Sequence, residues 1–151
     1  MLVYPGGDYD VCRPTLKENV IDFDGRTGYI TSALEANVPI VPAVSVGGQE
    51  TQLFLTRGRW LSRLLRLAKL ERKLLRTDLV PITFGFPFGF SVLAPVNVPL
   101  PTKIVTEVLP PINLAKRGGA RDIKRLDAHV RSVMQKGLKD LAAQRRFPII
   151  G

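Results

Sequence analysis

Histidine, cysteine and tryptophan are nearly absent from this 151-residue chain, which contains one residue of each type. The single cysteine, Cys12, cannot form an internal disulfide, and one histidine, His129, cannot build the Cys/His cluster of a structural zinc site. Neither residue has a catalytic partner at a recognised spacing. We therefore predict no catalytic residue, no metal and no cofactor in a chain whose composition, 45% hydrophobic and 23% charged, is that of one globular domain.

The chain also lacks a readable secretory leader, because no basic segment followed by an apolar core stands at its start. Residues 79–102 carry no charge, but five prolines interrupt them, so a membrane-spanning helix is not expected there. These absences favour a reducing compartment and a location on the cytoplasmic side.

Positive charge, by contrast, is abundant and concentrated in one segment. The formal net charge is +9, and residues 57–76 hold eight basic side chains against the single carboxylate of Glu71. Leucines recur at helical intervals in this run, which predicts a basic amphipathic helix over residues 57–75 that lies on an anionic membrane surface as a peripheral element. The predicted membrane-surface residues are Arg59, Trp60, Arg63, Arg66, Lys69, Arg72 and Lys73.

A solvated charged face remains open as the simpler interpretation of this basic run. Nucleic-acid phosphates would attract the same helix, but no recognised nucleic-acid motif accompanies it, so nucleic acid is not the expected partner.

Hydrophobic spacing predicts alternating strands and helices, which is typical of an α/β fold. The predicted helices are residues 26–36 and a long C-terminal helix from 122 to 145. The predicted strands are Val3–Tyr4 at the start, then residues 38–46, 81–86, 90–96 and 103–109. Phe84, Phe86, Phe88 and Phe90 alternate along the chain, so we expect them on one side of a strand.

Two linked segments, VYPGGDYD (residues 3–10) and GRTGYITSALEANVPIVPAV (residues 25–44), resemble the glycerolipid acyltransferase family. In that family an apolar strand leads into Pro-Glu-Gly-x-Arg, a basic-x-Gly helix start follows, and a Val-Pro-Ile-Val-Pro block comes next. The resemblance covers about residues 2–46. It implies acceptor-binding roles for Pro5, Gly6, Gly7, Asp10 and Arg26. It implies structural motif roles for Gly28, Val38, Pro39, Ile40, Val41 and Pro42.

This chain departs from the family pattern at two positions. Gly6 stands where glutamate is usual, and Tyr9 stands where an arginine binds the phosphate of the acceptor. A tyrosine cannot supply the paired charge-assisted hydrogen bonds of a guanidinium. The Pro5-Gly6-Gly7 triplet followed by Asp10 looks more like the neutral-lipid branch, related to the diacylglycerol acyltransferases, where Pro-Gly-Gly-x-x-Glu occurs. The resemblance therefore implies a lysolipid or diacylglycerol-like acceptor.

The catalytic motif of the family, His-x-x-x-x-Asp, does not occur in this sequence. In the family its histidine is the general base that activates the acceptor hydroxyl for attack on an acyl-CoA or acyl-carrier-protein thioester. We therefore expect residues 1–151 to be a single partial acyltransferase domain without the N-terminal catalytic part, inactive alone. The implied fold is the C-terminal part of a mixed β-sheet flanked by helices. A non-catalytic lipid-binding or regulatory protein and, with less support, a basic nucleic-acid-binding module remain the alternatives.

Overall fold

A computed structural model gives the fold of the chain and describes residues 1–15, 19–48, 51, 53–56, 81–92, 97–114 and 122–144. These residues form a small α/β protein with three helices and five strands. The helices are α1 (Gly7–Val11), α2 (Gly28–Glu35) and α3 (Ile123–Ala143). The strands are β1 (Ala43–Val46), β2 (Leu53–Thr56), β3 (Ile82–Gly85), β4 (Gly89–Val92) and β5 (Val105–Val108).

Helix α3 connects the two parts of the core. Its first turn is capped by Asp122, whose side chain accepts a hydrogen bond from the Arg125 backbone N–H at 3.1 Å. Its first half packs on α2, and its second half packs on β1. The first cluster consists of Ile30, Ala33, Ile112, Leu114, Leu126 and Val130, and the second of Val44, Val46, Leu109, Leu138 and Leu141. The predicted long C-terminal helix is therefore confirmed, with its apolar stripe buried.

The five strands form two antiparallel sheets, so the expected mixed sheet is wrong for the described part of the chain. β1 pairs with β5, and β2, β3 and β4 form the second sheet in that order. Parallel pairing requires a long crossover connection. Only residues 86–88 separate β3 from β4, and a turn that short joins antiparallel strands.

The predicted strand at Val3–Tyr4 is also wrong. Residues 1–4 have no regular secondary structure, and Met1, Leu2 and Tyr4 are more than three-quarters exposed. A strand requires a neighbour to receive its backbone hydrogen bonds, and neither described sheet includes these residues.

The strand predicted over residues 38–46 is regular only from Ala43. Two prolines precede that point and cannot donate to a ladder. The chain pairs around them: Ile40 forms an isolated bridge with Ile112, and the Pro42 carbonyl accepts from the Leu109 N–H at 2.8 Å. This block therefore leads into β1 as an interrupted extension of the strand.

A polar contact fixes α2 against α3. The Tyr29 hydroxyl donates to Asp127 Oδ1 at 2.8 Å, and Arg131 Nε donates to Asp127 Oδ2 at 2.8 Å. Phe23 packs edge-on against the Tyr29 ring, with centroids 5.6 Å apart. Burial is the largest cause that raises the pKa of Tyr29 far above its ordinary value, and the hydrogen bond to the Asp127 carboxylate is the next largest.

Replacing Tyr29 by phenylalanine should change how stability depends on pH. A tyrosine in the unfolded chain ionises near pH 10, at about its model-peptide pKa, whereas folded Tyr29 keeps its proton because its pKa is raised. The stabilising contribution of Tyr29 is therefore complete below about pH 10 and is lost above it, by up to about 1.4 kcal/mol per pH unit. At neutral pH, Tyr29→Phe should lower the free energy of unfolding by about 1 kcal/mol, and this difference should shrink between pH 10 and 11.

Urea unfolding of the wild type and of Tyr29→Phe at several pH values measures this effect. Tyr4→Phe, at an exposed position, is the matched control. A constant difference between wild type and Tyr29→Phe from pH 7 to 11 would contradict the buried, protonated phenol.

Candidate functional site

The predicted acceptor loop begins with a tight turn at Pro5, Gly6 and Gly7. The Gly7 N–H donates to the Tyr4 carbonyl at 3.2 Å, and Gly7 adopts a φ of +50°, a conformation that glycine accepts without steric cost. Gly6 is buried, and a side chain at this position would collide with Cβ of Asp10. Gly6 is therefore required by the local packing, Gly7 is favoured by its positive φ, and Gly7 is also the first residue of α1.

Arg26 reaches back to this loop from the segment before α2. The turn that presents it has positive φ at both central residues, Asp24 and Gly25, and closes with a 3.0 Å hydrogen bond from the Arg26 N–H to the Phe23 carbonyl. From there Arg26 Nη1 donates to the Gly6 carbonyl at 3.0 Å. The hydrogen bond joins two sequence segments that are 20 residues apart. The structure thus brings together predicted site residues Gly6, Gly7 and Arg26.

Asp10 lies on α1 and forms an ion pair with Arg13. Arg13 is only 4% exposed, whereas the Asp10 side chain is about half-exposed. A guanidinium beside a carboxylate fixes the orientation of that carboxylate. Arg13 was not predicted as a site residue. The only sequence signal for it was its spacing of three residues from Asp10, and it lies two residues beyond the end of α1.

The loop is attached to the second sheet immediately after Arg13. Thr15 Oγ1 accepts a hydrogen bond from the Phe54 N–H at 3.0 Å, and Phe54 is the buried residue of β2. The acceptor loop is therefore held on one side by Arg26 and on the other by a strand.

The structural motif residues lie away from the loop itself. Gly28 is the first residue of α2. Val38, Pro39 and Val41 are exposed, whereas Ile40 and Pro42 turn toward the protein and make the backbone contacts that lead into β1.

Several predicted features lie elsewhere or outside the described residues. The predicted membrane-surface residues, Arg59, Trp60, Arg63, Arg66, Lys69, Arg72 and Lys73, belong to the part of the chain that the structure does not describe. His129 is half-buried on α3, and Cys12 is half-buried after α1.

In the described ranges, no three metal-binding side chains of His, Cys, Asp or Glu come together, and no helix has both the length and the apolarity to cross a bilayer.

The loop combines a glycine turn, the Gly6 carbonyl that accepts from Arg26, and the half-exposed carboxylate of Asp10, which can accept a hydrogen bond from a hydroxyl group. No family model, curated protein or solved structure matches the chain.

Proposed function

We propose that this chain is the acceptor-side part of an acyltransferase. Its full-length parent would transfer a fatty acyl group from an acyl-CoA or acyl-carrier-protein thioester to the hydroxyl of a lysolipid or diacylglycerol-like lipid. The observation that carries this proposal is the hydrogen bond from Arg26 to the Gly6 carbonyl. It joins the Pro-Gly-Gly segment to the basic-x-Gly segment, the two blocks on which the resemblance to the glycerolipid acyltransferases rests.

Different residues of the loop would contribute in different ways to binding the acceptor. Gly6 and Gly7 let Asp10 and Arg26 pack directly against the loop backbone, since a side chain on Gly6 would meet Asp10 and one on Gly7 would meet Arg26. Asp10, oriented by Arg13, would accept a hydrogen bond from the acceptor hydroxyl. Tyr9 in place of the family's arginine favours an acceptor without a phosphate.

The chemical step would depend on polypeptide outside this sequence, which contains no His-x-x-x-x-Asp motif. In the parent, that histidine would take the proton of the acceptor hydroxyl as its oxygen attacks the thioester carbonyl. The carbon–sulfur bond would then break, and the thiolate would leave with the proton from the histidine. The residues described here would position the hydroxyl and contribute no proton transfer.

Membrane association would deliver the lipid to the loop. The basic run at residues 57–76 would bind an anionic membrane at its cytoplasmic face, with about 1 kcal/mol per basic residue near the surface. A chain that binds this surface peripherally would meet its lipid acceptor without extracting it into water.

An acyl-transfer assay with the chain alone tests the proposal. Incubated with acyl-CoA and mixed micelles of detergent and diacylglycerol, the chain should bind diacylglycerol saturably and form no triacylglycerol. Product formed by this chain alone would contradict the assignment of catalysis to another segment, and the absence of any lipid binding would contradict the acceptor role. A chain that binds lipid and stays inactive when joined to a polypeptide with the His-x-x-x-x-Asp motif would instead be a non-catalytic lipid-binding protein.

A further inference from the structure

The sheet formed by β2, β3 and β4 exposes an apolar face. Leu53 pairs with Phe84, and Phe84 pairs with Phe90, so these side chains form one row across the three strands. The two phenylalanine rings are in contact, with centroids 4.9 Å apart. We call the exposed apolar residues of this sheet the outer face; they are Leu53, Leu55, Phe84, Phe90 and Val92.

The opposite face of the same sheet is buried and largely polar. Thr83 is 1% exposed, and its hydroxyl hydrogen-bonds to the Ser91 hydroxyl at 2.7 Å. Asn97 Nδ2 donates to Ser91 Oγ at 3.1 Å and to the Gly89 carbonyl at 3.0 Å. An antiparallel sheet that faces water normally has the reverse arrangement, with apolar residues inside and polar residues outside. Thr83 and Ser91 are paired neighbours on β3 and β4, so their hydrogen bond satisfies both hydroxyl groups on the buried face.

The turn between β3 and β4 extends the apolar surface. Phe86 and Phe88 are 78% and 68% exposed, and the Val98 N–H donates to the Phe86 carbonyl at 2.9 Å, which holds the turn in place. Contiguous exposed apolar surface of this kind, with several aromatic rings, marks a binding surface rather than ordinary solvent exposure.

Charge identifies the partner of this surface. Neither residues 53–56 nor residues 81–92 contain a charged side chain, whereas the connection between them holds the basic run at 57–76. That connection leaves the sheet at Thr56 and returns at Ile82, which are paired neighbours at one end of the sheet. The basic run is therefore joined in sequence, at both of its ends, to strands that carry the apolar face, and this combination of charge and apolar surface matches a bilayer with anionic head groups above acyl chains.

We propose that the outer face lies on an anionic lipid bilayer and inserts its phenylalanine side chains at the level of the head groups. This inference rests on the membrane association proposed above and identifies a second surface that produces it. The basic run supplies the electrostatic attraction, and the outer face supplies apolar burial that does not depend on lipid charge. Because the inference makes no use of the acceptor loop, it can fail while the acyltransferase assignment stands.

Flotation of the full chain with vesicles tests the inference, using phosphatidylcholine vesicles with and without phosphatidylserine. Wild type should float with both, more strongly with phosphatidylserine and less strongly at high salt. The double variant Phe84→Thr, Phe90→Thr places threonine, which is favourable in strands, at both positions. It should weaken binding to both kinds of vesicle by at least about tenfold. Phe90→Trp should tighten binding, because tryptophan is favoured at the membrane–water interface.

Ile104→Thr combined with Val108→Thr is the matched control, since it removes two exposed apolar side chains away from the outer face and should leave flotation unchanged. Unchanged flotation of the Phe84/Phe90 variant would overturn the inference. So would a dimeric wild type that this variant converts to monomers in sedimentation, because a second copy would then cover the face. Wild type that binds neither kind of vesicle would overturn the inference together with membrane association, while the diacylglycerol assay would still report separately on the acceptor loop.

Discussion

Alanine in place of Gly47 should destabilise the protein by about 3 kcal/mol or more, the largest effect expected of any single glycine substitution in the described residues. Gly47 follows β1 directly and has a φ of +100°, which costs an alanine backbone strain. Its added Cβ would collide with the Lys103 carbonyl oxygen and lie 3.2 Å from Ile104 Cα. Backbone atoms cannot rotate away, so the segment that leads into β5 would have to move.

The site is further constrained by Thr102, whose hydroxyl donates to the Gly47 carbonyl at 2.8 Å. Gly48→Ala is the matched control: no atom lies within 4 Å of its added Cβ, so its effect should stay within about 0.5 kcal/mol. Urea unfolding followed by circular dichroism measures both. Equal stabilities of the two variants would contradict the described pairing of β1 and β5.

Arg26→Met should weaken diacylglycerol binding by about tenfold, or about 1.4 kcal/mol. Methionine keeps much of the aliphatic bulk but cannot donate to the Gly6 carbonyl, so the loop would lose the contact that holds it before the lipid arrives. Ordering a loop on binding reduces affinity, which is why the loss should appear mainly in binding. The stability change should be only about 1 kcal/mol, the usual net contribution of one hydrogen bond.

Arg26→Lys should recover part of the affinity, because an ammonium group can still donate to the carbonyl but lacks the planar geometry of a guanidinium. Arg125→Met, at an exposed position on α3, controls for the loss of one positive charge and should leave the dissociation constant unchanged. Arg26→Met with wild-type lipid affinity would show that this arginine is only structural and that the acceptor binds elsewhere.

Local periodicity in the sequence was sufficient for the two longer helices, whereas α1 was not predicted. The apolar spacing of α2 and α3 matched their buried faces, and Asp122 was predicted as the beginning of the last helix, where it is the N-cap. The strands β3, β4 and β5 were found within a few residues of their ends. β2 was missed, because Leu-Phe-Leu-Thr is too short a run to show which residues are buried.

Interactions between distant segments could not be predicted in the same way. Alternation of Phe84, Phe86, Phe88 and Phe90 indicated a single strand, but the structure has a hairpin whose turn contains the middle two rings, so their placement on one side of one strand is wrong. Alternation also does not tell which face of a sheet points outward; here the hydroxyl pair of Thr83 and Ser91 is buried, and the rings of Phe84 and Phe90 are exposed.

The candidate site was predictable only in part, for the same reason. Pro5, Gly6 and Gly7 formed a readable turn signal, but nothing in the spacing showed that Arg26 would contact it across 20 residues. The burial of Arg13 was likewise not predictable, since arginine is almost never buried without a partner, and the partner becomes visible only when the loop is folded.

The central claim, that the Gly6–Gly7 loop receives a lipid hydroxyl, is tested most directly by following backbone amide resonances in an NMR titration with diacylglycerol in mixed micelles. The resonances of Gly6, Gly7 and Asp10 should shift saturably with diacylglycerol and should not shift when its hydroxyl is methylated. Shifts that are the same for both lipids, or that leave these three residues unaffected, would contradict the assignment of the loop as the acceptor site.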